Sequence, residues 1–457
     1  MRYLPHTPDQ IKQMLDAIGV LHVDDLFQSI PPECQLVRPL ALNSALDEVT
    51  LMRHLHGLAD RNDGARMLSF QGAGAYDHHI PPAVDHLLLR GEFCTAYTPY
   101  QPEVSQGTLQ SIWEFQTIVS EVLGQPVANA SMYDAASATA EAALMARRLT
   151  RRTKVLLCSG VHPEYLETTR TYMSGVSPDG ADIQVIEIAE DGTTNIDAIA
   201  SALNDTVAAV VVGYPSFFGT ITDLQPLAKL VHQAGALLVT STSEPYALAL
   251  IQAPGHAGAD ISVAEGQPIA TSLSFGGPGV GLFACRDERK FLQELPGRIV
   301  GETVDNRGQC GYVLTLATRE QHIRRERATS NICSNQGLVA LSLAIRMCLL
   351  GKQGFEQVAH QCLAKALYLR RQLEKIPGFS LVYSQAKHFN EILVRVPRNT
   401  SASLVIERCA QQGVLPGVSV GSFENYGKNR DDQLLVAVTE KHSKSDLDRL
   451  VDTLRAC

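Results

Sequence analysis

Short apolar runs alternate with amphipathic segments through the middle of the chain. The apolar runs have the length of buried strands, and the segments between them carry apolar residues at helical spacing. Residues 207–213 are almost continuously β-branched or small, which is typical of a central strand in a parallel sheet. The alternation therefore predicts right-handed crossovers and a mostly parallel sheet. Strands are expected at 154–158, 183–188, 207–213, 237–240, 261–264 and 280–285, with helices at 108–123, 134–148, 162–174, 196–203 and 224–233.

The two ends of the chain depart from this pattern. Thr7-Pro8-Asp9-Gln10 is a capping box, which predicts a helix to about residue 19, and Asn43 or Ser44 can cap a second helix. Beyond residue 335, two long helices at 336–350 and 355–374 precede shorter strands and helices. We therefore expect a helical N-terminal arm over 1–60, a large α/β domain over 61–300, a connecting and site-lining segment over 301–335, and a small α+β C-terminal domain over 336–457. Residues 297–311, at the start of the connection, are expected to form a loop.

Composition narrows the class of protein. The net charge is −9, from 39 basic and 48 acidic side chains, so there is no basic surplus to neutralise nucleic-acid phosphates. The ten cysteines are scattered without a CxxC pair, which favours reduced thiols over a disulfide framework. The amino terminus lacks the apolar core of a signal peptide, and we find no apolar run long enough to span a membrane. These features predict a soluble, cytoplasmic protein that binds neither nucleic acid nor membrane.

The stretch from residue 258 to 281 carries the most informative pattern. It runs from an apolar strand through a polar turn to the glycine-rich segment 275–281 and a second strand. This arrangement resembles the one that, in pyridoxal-phosphate (PLP) enzymes of the aspartate-aminotransferase type (fold type I), carries the lysine that binds the cofactor. No lysine occurs between Lys229 and Lys290, and Gln267 stands at the corresponding position. An amide nitrogen is not a nucleophile, so that covalent attachment is excluded.

A second cofactor determinant is also missing. In the same fold, the strand at 236–240 is expected to present an aspartate to the pyridine nitrogen of PLP. The chain continues Ser241-Thr-Ser-Glu-Pro245, which contains no aspartate, although Glu244 offers a carboxylate late in the turn. Loss of both determinants indicates a PLP-enzyme fold from which the cofactor chemistry has been removed.

Three further motifs have simpler explanations. Gly277-x-Gly279-x-Gly281 lacks the spacing of a dinucleotide loop and leads into a strand. The histidine pairs at 54/56 and 78/79 have no acidic or cysteine partner at ligand spacing, so we expect no metal site. The helix start at Asp134 offers backbone N–H groups to a phosphate, but an N-cap and a close helix–sheet contact explain it better.

Two polar segments are candidates for a site. A loop as long and as weakly charged as residues 68–106 is unusual unless it builds one. Segments 97–107 and 328–336 are either ordered turns, with Thr329 or Ser330 capping a helix, or the walls of a pocket. The residues that we expect to contribute to a substrate or partner site are Tyr97, Thr98, Tyr100, Gln101, Glu103, Gln106, Thr329, Ser330 and Asn331, with no catalytic residue on this chain alone.

Segments 1–8, 72–78, 97–107, 275–278 and 328–333 carry a family resemblance. The chain resembles the α-subunits (subunit 1) of the two-chain glycine dehydrogenase (decarboxylating, aminomethyl-transferring), the P-protein family of the glycine cleavage system. The resemblance implies that PLP sits on a β-subunit (subunit 2), that glycine is decarboxylated there, and that the aminomethyl group passes to the lipoyl arm of the H-protein. This chain would bind no cofactor covalently, and its polar segments would face the site of the partner.

Two other functions remain open from the sequence. A self-sufficient PLP-dependent lyase or aminotransferase would need a lysine in its pocket, and none occurs from 230 to 289. A catalytically inert regulatory or scaffold paralogue of a PLP enzyme would have no need of the elaborate segments at 97–107 and 328–336.

Overall fold

The amino-terminal unit, Met1–Asp63, contains two helices and no strand among the residues that the structure describes. The structure is a computed structural model, and it describes residues 5–36, 38–316, 319–332, 335–426 and 428–457. The helices are α1 (Pro8–Ile18) and α2 (Glu48–Ala59), and short 3₁₀ turns lie between them. Neither helix contains a buried residue, and the helical character predicted for this part of the chain is confirmed.

The starts of these helices show how far local signals determine structure. Thr7 and Gln10 form the predicted capping box, because the backbone N–H of each donates to the side chain of the other, at 2.8 and 3.3 Å. The second prediction was wrong in position, since α2 is capped by Asp47 and not by Asn43 or Ser44. Carboxylates, amides and hydroxyls are all good caps, so residue type alone does not choose among neighbouring candidates.

A seven-stranded sheet forms the centre of the second unit, Gly64–Cys457. Its strands follow the order β2–β8–β7–β6–β5–β3–β4. The strands from β7 to β4 are parallel, β8 is antiparallel to β7, and β2 is antiparallel to β8. The mostly parallel sheet predicted from the sequence is confirmed. The first eight strands of the chain are β1 (Leu68–Ser69), which lies outside this sheet, β2 (Val127–Ala128), β3 (Lys154–Cys158), β4 (Ile183–Ile186), β5 (Val207–Gly213), β6 (Leu237–Thr242), β7 (Ile261–Glu265) and β8 (Gly281–Cys285).

Helices cover both faces of this sheet, and alternate residues of its strands enter two different cores. On β5, Val210 and Val212 pack in a core with residues of α5 and α9, whereas Ala209 and Val211 pack in another with residues of α6 and α7. Burial on both faces explains the continuous apolar pattern of this strand. The helices of this part are α3 (Pro82–Leu88), α4 (Gly91–Cys94), α5 (Gln106–Leu123), α6 (Ala135–Thr150), α7 (Pro163–Ser174), α8 (Ile196–Ala202), α9 (Leu224–Gln233), α10 (Gln267–Ala270) and α11 (Arg289–Glu294).

A β-hairpin stands where the sequence predicted a loop over residues 297–311. Its strands are β9 (Ile299–Val304) and β10 (Cys310–Thr315), paired antiparallel. Gln116 of α5 holds the hairpin, because its side-chain amide bonds both the N–H and the carbonyl of Val300, at 2.8 and 3.0 Å. The prediction failed because the charged turn of the hairpin looks like a loop, while a buried glutamine on a distant helix supplies the anchor.

The C-terminal part adds a four-stranded antiparallel sheet in the order β11–β12–β15–β14, and β1 pairs in parallel with β13. The predicted α+β texture is confirmed, and so are the two long helices, which meet at Gly351, where the backbone is not helical; we label them together as α13. The remaining elements are α12 (Gln321–Arg324), α13 (Gly337–Leu373), β11 (Ser380–Leu381), β12 (Glu391–Arg395), α14 (Ala402–Ala410), β13 (Val414–Leu415), β14 (Val418–Ser419), β15 (Gln433–Ala437) and α15 (Lys444–Arg455).

Helix α13 corrects one expectation from the sequence. By length and composition alone it is long and apolar enough to cross a membrane, although the sequence pattern indicated no such run. Its residues Leu343 and Phe355 are buried in the core beneath the large sheet, and Leu369 is buried in the core of the C-terminal sheet. The helix therefore contributes to both cores of the second unit, although less than half of its most apolar window is buried.

Candidate functional site

A cavity of about 390 Å³ lies at the carboxyl ends of the parallel strands, where doubly wound sheets place their ligands. It is bounded by the start of α6 at Asp134, by His162 just before α7, by Glu265 and Gln267 after β7, and by the glycine-rich segment 276–279. We call it the sheet-edge cavity. The carboxylates of its wall are Asp134, Glu164 and Glu265, and no lysine or arginine lies among its described lining residues.

Gln267 lies in the wall of this cavity, directly after β7, where the sequence pattern placed it. Its Nε2 donates to the carbonyl oxygen of Thr271 at 2.6 Å, and its Oε1 is buried without a hydrogen-bond partner among the described residues. An amide cannot form a covalent bond to a carbonyl cofactor, so this position offers hydrogen bonds only.

Glu265 is the residue of this cavity that sequence reasoning missed. Its side chain is almost fully buried, yet both carboxylate oxygens are satisfied by backbone N–H groups. Oε2 accepts from Ala135 at 2.9 Å, and Oε1 accepts from Gln267 at 2.9 Å and Val280 at 3.2 Å. Burial raises the pKa of Glu265 to about 7, although these hydrogen bonds favour the charged form. The available signal was an acidic residue that ends an otherwise apolar strand next to a glycine.

Asp134 satisfies a second donor at the start of α6. Its Oδ1 accepts from the N–H of Ser137 at 2.7 Å in a capping box. A Cβ at Gly281 would lie 2.4 Å from the carbonyl oxygen of Asp134, so β8 passes very close to the helix start. The simpler explanation weighed from the sequence, an N-cap with a close helix–sheet contact, is confirmed.

Glu244 does not line the sheet-edge cavity. It follows β6, and its Oε2 accepts from His78 Nε2 at 2.8 Å and from Asn390 Nδ2 at 3.2 Å. The other ring nitrogen of His78 lies 2.6 Å from Glu440 Oε2. Burial alone would lower the pKa of His78, but the two carboxylates outweigh it and raise the pKa to about 9. Glu244 is thus bound in a buried ion cluster and not offered to a ligand at the end of its strand.

The same cluster brings together three possible metal ligands that spacing did not reveal. Ligand atoms of His78, Cys362 and Glu440 lie within 4.8 Å of one another. However, both ring nitrogens of His78 already face carboxylates, and burial holds the thiol pKa of Cys362 well above its usual value. A metal ion here would have to displace the shared proton, and the cluster is satisfied as an ion pair.

The segment 97–107, which we call the Tyr97 loop, is held by a buried arginine. Arg298 is 4% exposed and forms a salt bridge to Glu320 at 3.2 Å. The same guanidinium donates to Thr98 Oγ1 at 3.3 Å and to Tyr100 Oη at 3.0 Å, and it lies 5.2 Å from the centre of the Tyr100 ring. Thr98 and Tyr100 are therefore anchored, and neither Arg298 nor Glu320 was identified from the sequence.

The other predicted residues of this loop have different surroundings. The side chain of Tyr97 is 84% exposed, and Gln101 and Glu103 are exposed as well. Gln106 is occupied structurally, since its side-chain amide bonds both the N–H and the carbonyl of Tyr312 at 2.9 Å. Tyr97 also lines a groove of about 240 Å³ that continues to the start of α13.

The second predicted segment lies beside the same ion pair. Thr329 and Ser330 line a small cavity together with Glu320. Ser330 Oγ donates to Glu141 Oε1 at 2.6 Å, and Asn331 is exposed. Neither Thr329 nor Ser330 caps a helix, since the N-cap of α13 is Gln336, so that alternative was wrong. The Arg298–Glu320 pair thus lies between the two segments that the sequence singled out.

Comparison with known proteins gives consistent matches over the whole chain. A family profile described as "Glycine cleavage system P-protein" matches residues 1–454. A protein of Sorangium cellulosum named "Probable glycine dehydrogenase (decarboxylating) subunit 1" is 57% identical, over 99% of this chain and 98% of its own length. A protein of Desulforamulus reducens with the same name is 46% identical over the full length of both chains.

Solved structures agree with these matches. A crystal structure of glycine decarboxylase (P-protein) of the glycine cleavage system, in inhibitor-bound form, is 40% identical, covers 100% of both chains and has a TM-score of 0.88. Glutamate decarboxylase of Lactobacillus brevis is 14% identical with a TM-score of 0.68, over 92% of this chain and 94% of its own. The latter likeness concerns the fold alone, and the α/β fold of PLP-dependent enzymes of fold type I, expected from the sequence, is confirmed.

Proposed function

Since this chain belongs to the glycine cleavage system P-protein family, we propose that it is the α-subunit of a two-chain glycine decarboxylase. In this proposal a second subunit binds PLP, and the complex decarboxylates glycine and transfers the aminomethyl group to the lipoyl group of the H-protein in the cytoplasm. The relatives named subunit 1 match it from end to end, which supports a two-chain enzyme.

The placement of Gln267 carries the proposal. It stands directly after β7 in the sheet-edge cavity, and no lysine lies among the described residues that line this cavity. Glu244 follows the strand that is expected to face the pyridine nitrogen of PLP, but its carboxylate is bound to His78 and Asn390 instead. These residues do not fit PLP, and we infer that the second subunit holds it.

The Tyr97 loop is the part of this chain that we assign to the shared site. PLP, when bound by the partner, supplies an electron sink for the bond that releases CO2. This chain contributes positioning, because Arg298 fixes Thr98 and Tyr100 while Tyr97 and Glu103 remain exposed. Prolines at 99 and 102 stiffen this loop, which reduces the entropy lost when its side chains order against a ligand.

The amino-terminal unit supplies a surface that fits a protein partner. Large apolar side chains of α1 and α2 are exposed, among them Ile18, Val49 and Met52. Val49 and Met52 lie three residues apart on α2 and so share one face of that helix. Clustered exposed apolar side chains mark interaction sites in soluble proteins. We therefore assign this unit to subunit association.

The proposal is tested by reconstitution with the second subunit. Each chain alone and the mixture are assayed for release of CO2 from glycine with lipoyl H-protein present, and the active mixture is treated with borohydride to map the trapped cofactor. We expect activity only in the mixture and labelled lysine only on the second chain. A labelled lysine on any peptide of this chain would refute the assignment of the cofactor. Full activity of the second subunit alone would favour the inert regulatory or scaffold role.

A further inference from the structure

Three backbone N–H groups from separate parts of the chain converge at the floor of the sheet-edge cavity. They belong to Ala135 at the first position of α6, Gln267 after β7 and Val280 before β8, and all three donate to the carboxylate of Glu265. The side chain that accepts them is 6% exposed, so the carboxylate is held inside the protein rather than at its surface.

Converging N–H groups at the start of a long helix are the usual protein cradle for a phosphate, because the donors and the helix dipole both favour negative charge. Here the negative charge comes from the chain itself. We propose that Glu265 is a built-in replacement for a bound phosphate: it completes the cradle at the start of α6 and excludes phosphate esters, including PLP, from the sheet-edge cavity. This inference rests on the proposed function and extends it from the missing lysine to the missing phosphate site.

The close packing of the glycine-rich segment against Glu265 supports the exclusion of a phosphate. A Cβ on Gly279 would lie 3.2 Å from Glu265 Oε1 and 3.3 Å from Asp134 Cβ, so the glycine-rich segment closes over the carboxylate. The N–H of Ser137, two residues further along the first turn of α6, is taken by Asp134. Two N–H groups of this turn, those of Ala135 and Ser137, are therefore satisfied by two carboxylates of this chain.

The carboxylates of the cavity wall also disfavour a bound phosphate. Asp134, Glu164 and Glu265 all lie in the wall of the cavity, and burial lowers the pKa of His162, which favours its neutral form. A phosphate entering this site would meet like charges without a lysine or arginine among the described lining residues to offset them.

The test measures phosphate binding and not catalysis. The full chain, alone and in complex with its partner subunit, is titrated with inorganic phosphate and with PLP, at constant ionic strength, for wild type and Glu265→Ala. Removing the carboxylate frees the three donors, so we expect Glu265→Ala to bind inorganic phosphate at least ~10-fold more tightly than wild type, and its Tm to rise with phosphate while the Tm of wild type stays constant. Glu164→Ala, which removes a carboxylate of the same wall that takes no part in the cradle, should gain clearly less, because it reduces like-charge repulsion but frees no donor.

Equal phosphate affinity in wild type and Glu265→Ala, or an equal gain in Glu164→Ala, would overturn the proposal. If Glu265→Ala does not fold in chloride, it is refolded in phosphate, and we expect recovery in phosphate only; recovery in neither buffer contradicts the replacement of one anion by another. Because the readouts are affinity and Tm, failure here leaves the reconstituted activity as an independent test of the proposed function.

Discussion

The sheet-edge cavity and the Tyr97 loop use their polar groups in opposite ways. In the cavity, the carboxylates of Glu265 and Asp134 are bound by backbone N–H groups of the chain itself. In the loop, Thr98 and Tyr100 are fixed by Arg298, and Tyr97 is largely exposed. A polar group that is satisfied internally has little left to offer a ligand, while an anchored loop can present side chains at low entropic cost.

Under the proposed function, this difference separates a cavity that has lost its ligand from a loop that presents side chains to the partner. The cavity has the position of an active site in this fold, but its carboxylates are bound within the chain. The loop has no catalytic group of its own, yet the pair of Arg298 and Glu320 keeps it ordered. If the proposed function holds, position in the fold alone would select the cavity and miss the loop.

The largest effect is expected at the anchor of the Tyr97 loop. Arg298→Ala leaves Glu320 buried without its partner and removes the donor of Thr98 and Tyr100. Breaking a buried ion pair in this way lowers the free energy of unfolding by about 3–5 kcal/mol, and urea unfolding measures that loss directly. The matched control is Arg455→Ala, whose pair with Asp452 is exposed and should change stability by less than about 0.5 kcal/mol. Similar losses in both variants would show that Arg298 is no anchor.

The second prediction concerns the buried charges next to the sheet edge. The pKa of His78 rises from its ordinary 6.5 to about 9 in the folded protein. A raised pKa gives stability that is fully present below about pH 6.5 and is lost as the pH rises through 9. At ~1.4 kcal/mol per pKa unit, the loss is about 3 kcal/mol.

Urea unfolding at a series of pH values checks this expectation. Between pH 7 and 9.5 the free energy of unfolding of wild type should fall, and His78→Gln should fall less steeply over the same range. The control is His360→Gln, because His360 is exposed on α13 beside Glu356 and should leave the wild-type slope unchanged. Identical slopes for wild type and His78→Gln would contradict the ion cluster.

The smallest effect in free energy concerns the exposed part of the loop. In the complex with the partner subunit, Tyr97→Phe or Tyr100→Phe should lower the rate of CO2 release ~10–100-fold, the scale of one hydrogen bond to a charged group. PLP content and subunit association should be unchanged, and lipoyl H-protein is kept saturating. Glu103→Gln is expected to act in the same direction.

The control for this series is Tyr368→Phe, which removes a hydroxyl that donates to Asp448 far along the chain, in the C-terminal part. It should retain the wild-type rate. Wild-type rates from Tyr97→Phe, Tyr100→Phe and Glu103→Gln would mean that the loop serves architecture only, and the contrast between the two regions would lose its functional meaning.

Local signals predicted most of the regular elements. Strand β5 and helix α9 lie where the apolar pattern placed them. A strand buried on both faces is continuously apolar, and a helix buried on one face has apolar residues at helical spacing, so both can be identified from the sequence. The hairpin of β9 and β10 was missed, since its anchor, Gln116, lies on a helix distant in sequence. The cap of α2 was misplaced because several neighbouring residues make good caps.

The sequence by itself determined the alternation of strands and helices, the family and the absence of a lysine at Gln267. Those features depend on residue types and on spacing along one stretch of chain. Only the tertiary structure decided where the charges go: Glu265 in the cradle of α6, Glu244 beside His78, and Arg298 beneath the Tyr97 loop. Each of these pairings joins residues that are far apart in sequence, and a buried charge is stabilised by whatever group the fold brings within hydrogen-bonding distance, which no local pattern records.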